Sequence, residues 1–166
     1  DLDIIEQIID ECIEKTRNLS HELTPPAVIR NGLVAAMAWL CKDMHEKFGL
    51  RITMDAAPDA DTRSSALPSV LYRCVRELLF NSQKHSGTDV ARITIRRQTG
   101  RLVLSVTDDG KGADLMKLRQ DKGYGGGLGL VSIEERIRIL GGSVVIETKP
   151  GNGFCVTLDV PDEISA

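Results

Sequence analysis

Residues 106–114 read VTDDGKGAD, so an apolar strand runs straight into Asp108-Asp109-Gly110-Lys111-Gly112. A carboxylate at a strand end can accept a hydrogen bond from an exocyclic amine. Glycines just after it let the backbone approach a ligand closely. Asp-Gly also makes an ordinary turn, so the reading depends on what surrounds the stretch. Immediately upstream, residues 91–97 and 102–107 alternate apolar and polar side chains around Thr99-Gly100. Ile93 and Ile95 line one face of the first run, and Leu102, Leu104 and Val106 one face of the second. That is a hairpin with one buried face.

Further upstream, residues 68–86 predict a helix whose apolar side is Val70, Leu71, Cys74, Val75 and Leu78. Its end reads RELLFNSQKHS over residues 76–86. Glu77, Asn81, Lys84 and His85 stand at i, i+4, i+7 and i+8, on one helical face. An asparagine in mid-helix costs propensity without a structural return. The face is a solvated surface or a site.

Downstream, residues 108–127 are glycine-rich and read as a long functional loop. Residues 123–137, GYGGGLGLVSIEERI, place Gly125, Gly126, Gly127 and Gly129 at the opening of a helix over 128–140. Leu130, Ile133, Ile137 and Leu140 face inward and Gly141-Gly142 is the stop. A glycine loop that opens a helix can cradle phosphate through free N–H groups and the helix dipole. The spacing fits neither GxGxxG nor GxxxxGK[ST], which sets aside the dinucleotide fingerprint and the Walker loop.

The remaining elements complete a layered plan. Residues 32–48 predict a helix with Leu33, Ala36, Met37, Leu40, Met44 and Phe48 on one face. Strands are expected at 51–54, 144–147 and 154–160, the last two around a turn at Pro150-Gly151-Asn152-Gly153. At the start, Leu2, Ile5, Ile9, Cys12, Thr16, Leu19 and Leu23 step by 3 and 4, a heptad seam that Pro25-Pro26 ends. The expected fold class is an α/β (α+β) two-layer sandwich. It has one mixed sheet with helices on one face, preceded by one long N-terminal helix. The chain opens inside that helical pattern, as a segment cut from something longer would.

Bulk composition narrows the function. The 166 residues carry a net charge of −3, with 42% hydrophobic and 27% charged side chains. Blanket nucleic-acid binding needs a basic stripe. Arg92, Arg96, Arg97 and Arg101 read instead as the solvent side of the hairpin. Cys12, Cys41, Cys74 and Cys155 form no CxxC pair, so they read as reduced thiols packed as small hydrophobes. The longest uncharged apolar run is ten residues, Gly32 to Cys41, against the roughly 20 that a membrane span needs. No membrane contact is expected of this segment, and a cytoplasmic location is.

Taken in order, the Asn-bearing helix, DxGxG, GxGxGL and GNGF over residues 68–161 resemble the N, G1, G2 and G3 boxes of the GHKL ATP-binding superfamily. Upstream, Leu23, Pro25, Pro26, Gly32, Leu33 and Trp39 resemble the linker of NarL/DesK-type sensor histidine kinases. The resemblance implies a GHKL (Bergerat) ATPase domain over residues 27–166. It makes residues 1–26 the partial second helix of a dimerisation domain. It implies that Asn81 ligates Mg²⁺, that Glu77 is an acidic helper near the γ-phosphate, and that Lys84 and His85 face the phosphates. Asp108 would accept from the adenine amine, with Gly110 and Gly112 giving the base room. Residues 109–127 would be the ATP lid, with Gly125, Gly127, Leu128 and Gly129 at the phosphates. Phe154 departs from the pattern, standing where many members carry Thr or a small polar residue. The lid bears Lys111, Lys117, Arg119 and Lys122, read mainly as solvated charges.

The implied activity is transfer of the γ-phosphate of Mg·ATP to a histidine, then to an Asp of a response regulator of the NarL/LuxR kind, by a kinase that is a homodimer. The alternatives are an anti-sigma-factor serine kinase and a nucleotide-holding pseudokinase. His21, in SHELTPP (residues 20–26), resembles an acceptor motif. Pro25-Pro26 follows four residues on, however, and leaves no room for a returning helix before residue 32. The acceptor is therefore expected on a helix preceding this segment, with His21 favouring a helix C-terminus by its charge when protonated.

Overall fold

The computed structural model describes residues 30–120 and 127–162. The expected helix over 2–23, His21, Pro25-Pro26, the boundary at 26/27 and Gly125 lie outside the described residues. The elements run α1 (Leu33–Phe48), β1 (Arg51–Ala56), α2 (Leu67–His85), β2 (Val90–Gln98), β3 (Arg101–Asp108), α3 (Leu115–Gln120), α4 (Gly127–Ile139), β4 (Ser143–Thr148) and β5 (Phe154–Pro161).

The strands form one sheet in the order β1-β2-β3-β5-β4. Only β1 and β2 are parallel, with α2 as their crossover; the other pairs are antiparallel. Period-two alternation decides which face is covered. Ile93 and Ile95 of β2, Leu102, Leu104 and Val106 of β3, and Val156, Leu158 and Val160 of β5 are all buried. Register puts them in rows, with Leu104 opposite both Ile95 and Leu158. Over them lie Leu33, Met37, Leu40 and Met44 of α1, Leu71, Cys74, Val75 and Leu79 of α2, and Ile133 and Ile137 of α4. The opposite face carries Arg92, Thr94, Arg96, Ser105, Thr107 and Thr157, and Thr94 and Ser105 share a hydrogen bond of 2.6 Å. The expected mixed sheet with helices on one face is therefore observed.

Local chemistry sets the joints. The two residues between β2 and β3, Thr99 and Gly100, have φ of 50° and 76°. Those signs suit the tight turn whose twist matches paired strands. Arg97 binds the buried Asp162 and the backbone carbonyls of Asp59 and Asp61, fastening the loop after β1 to the end of β5. Asp61 in turn accepts the Leu33 N–H at 2.7 Å, capping α1. Arg96 pairs with Asp55 and Arg101 with Asp159 on the uncovered side, whereas Arg97 stands in the row of Ile93 and Ile95 and not on the solvent side that the sequence suggested. Burial pushes the thiols of Cys41 and Cys74 up to about 11, which keeps them protonated as small hydrophobes.

Two further expectations are corrected. Residues 108–127 are not all loop, because α3 occupies six of them. Asp114 Oδ1 accepts from the Met116 and Lys117 N–H groups, and that cap starts a helix of good formers between two glycine clusters. Phe48 is 38% exposed rather than in the core. It is the last residue of α1, and its ring turns edge-on to Phe80 with centroids 5.0 Å apart. We expect Leu104→Ala to lower unfolding stability by about 2–5 kcal/mol. Val103→Ala, on the uncovered face one residue away, should cost less than about 1 kcal/mol. Urea unfolding of both variants measures the asymmetry.

Candidate functional site

A cavity of about 240 Å³ opens between α2, the end of β3, the segment after it and the start of β5. Its walls are apolar: Leu78 from α2, Val106 from β3, Leu118 from α3, Leu130 from α4, and Phe154 and Val156 from β5. Asn81, Ser82 and His85 bring polar atoms from one face of α2 and Ser86 from its C-cap, and Asp108 and Lys111 from the other wall. A flat heteroaromatic base fits such a slot, with polar substituents directed towards the few convergent polar groups.

Asp108 is 4% exposed and is the buried acid of this site. Its Oδ2 accepts from the Ser82 hydroxyl at 2.7 Å, and its Oδ1 from the Gly110 N–H at 3.0 Å. A buried carboxylate needs such donors. Each oxygen keeps a further lone pair for a ligand donor.

The segment carrying Gly110 and Gly112 is held on both sides by backbone. Lys111 N–H donates to the Ser86 carbonyl at 2.8 Å, which ties it to the end of α2. Gly153 N–H donates to the Gly110 carbonyl at 2.9 Å and Gly151 N–H to the Lys111 carbonyl at 2.6 Å, which tie it to the β4–β5 turn. Thr148 Oγ1 accepts the Ala113 N–H at 2.9 Å and donates to the Gly153 carbonyl at 2.8 Å. These approaches leave no space for a side chain. A Cβ on Gly112 would overlap the Lys149 carbonyl, and φ there is +60°. A Cβ on Gly153 would overlap the Asp108 carbonyl, and one on Gly110 the Ser86 carbonyl.

The helical face read from the sequence is brought together only in part. Asn81 and His85 line the cavity, whereas Lys84 and Glu77 do not. Glu77 is half-buried, and its carboxylate abuts Gly129 in the first turn of α4. Gly129 is thus in contact with α2, Gly127 begins α4, and the side chain of Leu128 is not among those described. Partial burial, then Lys84 and Lys111, lower the pKa of His85 below its ordinary value; partial burial also lowers that of Lys84. Among the described residues, no three His, Cys, Asp or Glu side chains gather into a metal-holding group. Asn81 offers one oxygen at the cavity, which suits Mg²⁺, an ion that takes few protein ligands and draws the rest from phosphate and water. Sequence reasoning missed Ser82, Ser86 and Thr148. Serine and threonine at such positions carry no signal until the fold sets Ser82 against Asp108 and Thr148 against residues 113 and 153.

Residues 66–164 match the family model described as the histidine kinase-, DNA gyrase B- and HSP90-like ATPase. The chain belongs to that ATPase family. The match makes this chain an ATP-binding catalytic domain of the histidine-kinase kind. The oxygen sensor histidine kinase NreB of Staphylococcus carnosus (strain TM300) is 32% identical over 157 residues, covering 95% of this chain and 44% of that protein. The chain thus spans under half the length of that relative. Among solved structures, the blue-light activated histidine kinase of Erythrobacter litoralis EL346 superposes with TM-score 0.71 at 18% identity, covering 89% of this chain and 49% of the other. Histidine kinase AdeS of Acinetobacter baumannii gives TM-score 0.69 at 14% identity, covering 98% and 86%. At those identities the likeness is one of fold. Gly112→Ala should weaken ATP binding more than about tenfold, because the strained φ and the overlap displace the segment that walls the cavity. Titration calorimetry measures the loss, and circular dichroism checks that the variant remains folded.

Proposed function

We propose that this chain is the catalytic part of a two-component sensor histidine kinase. It binds Mg·ATP and presents the γ-phosphoryl group to a histidine on a dimerisation helix, from which an Asp of a response regulator takes it. The observation that carries this reading is the buried Asp108, fixed by Ser82 and the Gly110 N–H at the back of an apolar slot beside Asn81. The 32% identity to a sensor histidine kinase supports the choice within the ATPase family.

The residues divide the work. Asp108 accepts from the adenine amine, while Val106, Leu130, Phe154 and Val156 exclude water from the ring. Phe154 supplies a ring face and no hydrogen bond, so the polar part of base recognition rests on Asp108. Asn81 holds Mg²⁺, which when bound neutralises phosphate charge. Lys84 and His85 lie one turn further along α2, towards the phosphates. Glu77, against the first turn of α4, positions the glycines that reach the γ-phosphate and acts as the acidic helper. Phosphoryl transfer asks a protein mainly for positioning and charge compensation, which this set can supply. The regulator is of the NarL/LuxR kind, the parent kinase is a homodimer, and the acceptor histidine precedes this segment.

Incubation with Mg²⁺ and γ-labelled ATP tests the reading. This chain should bind ATP and take up no acid-labile label. A longer chain that includes the whole dimerisation hairpin should be labelled, and should lose at least about 100-fold in labelling on Asn81→Ala. Asp108→Asn should weaken ATP binding at least about tenfold; ATP bound as tightly as by wild type would overturn the site.

His85 gives a pH test. Its depressed pKa means that the folded chain holds the neutral imidazole, so its contribution to stability is complete above pH 6.5 and is lost as pH falls through the folded value. A bound triphosphate favours the charged form and raises that pKa. The His85 NMR titration midpoint should therefore lie below 6.5 in the free chain and rise when ATP binds. Affinity for ATP should strengthen between pH 7.5 and 6, and His85→Gln should lose that trend.

A further inference from the structure

We infer that Ser82 is the positioning residue that makes this pocket select a purine bearing an amine over one bearing a carbonyl; the inference rests on the ATP reading of the same site. Ser82 is 6% exposed, lines the cavity, and spends its only proton on Asp108 Oδ2 at 2.7 Å. The other serine of the lining is spent too: the Ser86 hydroxyl donates to the Thr88 carbonyl at 3.1 Å and accepts the Thr88 N–H at 3.0 Å. Phe154, the cross-strand neighbour of Asp108, brings no polar atom.

The deep end of the slot therefore presents acceptors, the free lone pairs of the Asp108 carboxylate. An exocyclic amine donates to them. A carbonyl in its place would meet only lone pairs and would stay unpaired in a dry pocket. The Gly110 N–H fixes one carboxylate oxygen and Ser82 the other, so both oxygens have a set direction. Without Ser82, the carboxylate keeps one tether and can turn about it, and its second oxygen loses a partner. Ser82 thus acts through Asp108 on the amine and touches no reacting atom.

The test compares ATP with inosine triphosphate, which carries a carbonyl in place of the amine, on wild type and on Ser82→Ala by titration calorimetry. Wild type should prefer ATP. Ser82→Ala should bind ATP about tenfold more weakly and the amine-free analogue within about twofold of wild type. Ser82→Cys, close in shape but a weak donor, should show the same selective loss, and it carries the test if the alanine variant does not fold. Equal weakening of both nucleotides, or of neither, would overturn the inference while leaving the ATP site standing. A wild-type chain that bound neither nucleotide would overturn the site reading, and the inference with it.

Discussion

Backbone passes backbone at contact distance in the segment after β3, and the site depends on that constraint. The Lys149 carbonyl occupies the place of a side chain at residue 112, and the Asp108 carbonyl the place of one at residue 153. Only glycine permits either approach. The hydrogen bonds from Lys111, Gly151 and Gly153 then lock the segment between α2 and the β4–β5 turn. This gives Asp108 a fixed wall on one side and a helix face on the other. A carboxylate presented at the end of a strand would otherwise face solvent and discriminate nothing.

The core and the site are two uses of one pleat. In β3 the alternation that buries Leu102, Leu104 and Val106 continues by one step to Asp108, which is buried for the same geometric reason. The sheet thus carries a carboxyl group into its own interior at the edge of the helical layer. Ser82 and the Gly110 N–H offset the cost of that burial. Because both partners sit on neighbouring elements rather than on β3, the carboxylate's orientation reports how α2 and the glycine segment are docked. The orientation of this carboxylate and the packing are coupled here through two hydrogen bonds.

The polar face of α2 divides by depth. Asn81 and His85 turn to the cavity, Glu77 turns to the first turn of α4, and Lys84 stays at the exposed end. A helix rises 1.5 Å per residue, so eight positions spread four functional groups over about 12 Å. That is far too long for one small pocket. Under the proposed function the ligand is correspondingly extended, apolar at one end and anionic at the other.

The sequence by itself determined every described element but α3, the covered face of the sheet, and the choice of Asn81, Asp108 and Gly112, which the fold brings to one cavity. Those follow from period, glycine placement and motif order, all of which are local. It misread residues 115–120 as loop because flanking glycines outweighed a cap at Asp114 that is a matter of two N–H groups. It grouped Phe48 with the inward face because periodicity gives a side chain's direction and not how much of it is covered. Only the tertiary structure decided that Ser82 binds Asp108, that Glu77 meets Gly129, and that Thr148 ties residue 113 to residue 153. Each of these joins residues 5 to 52 positions apart, and a hydroxyl or carboxylate carries no mark in sequence of the partner that folding will bring to it.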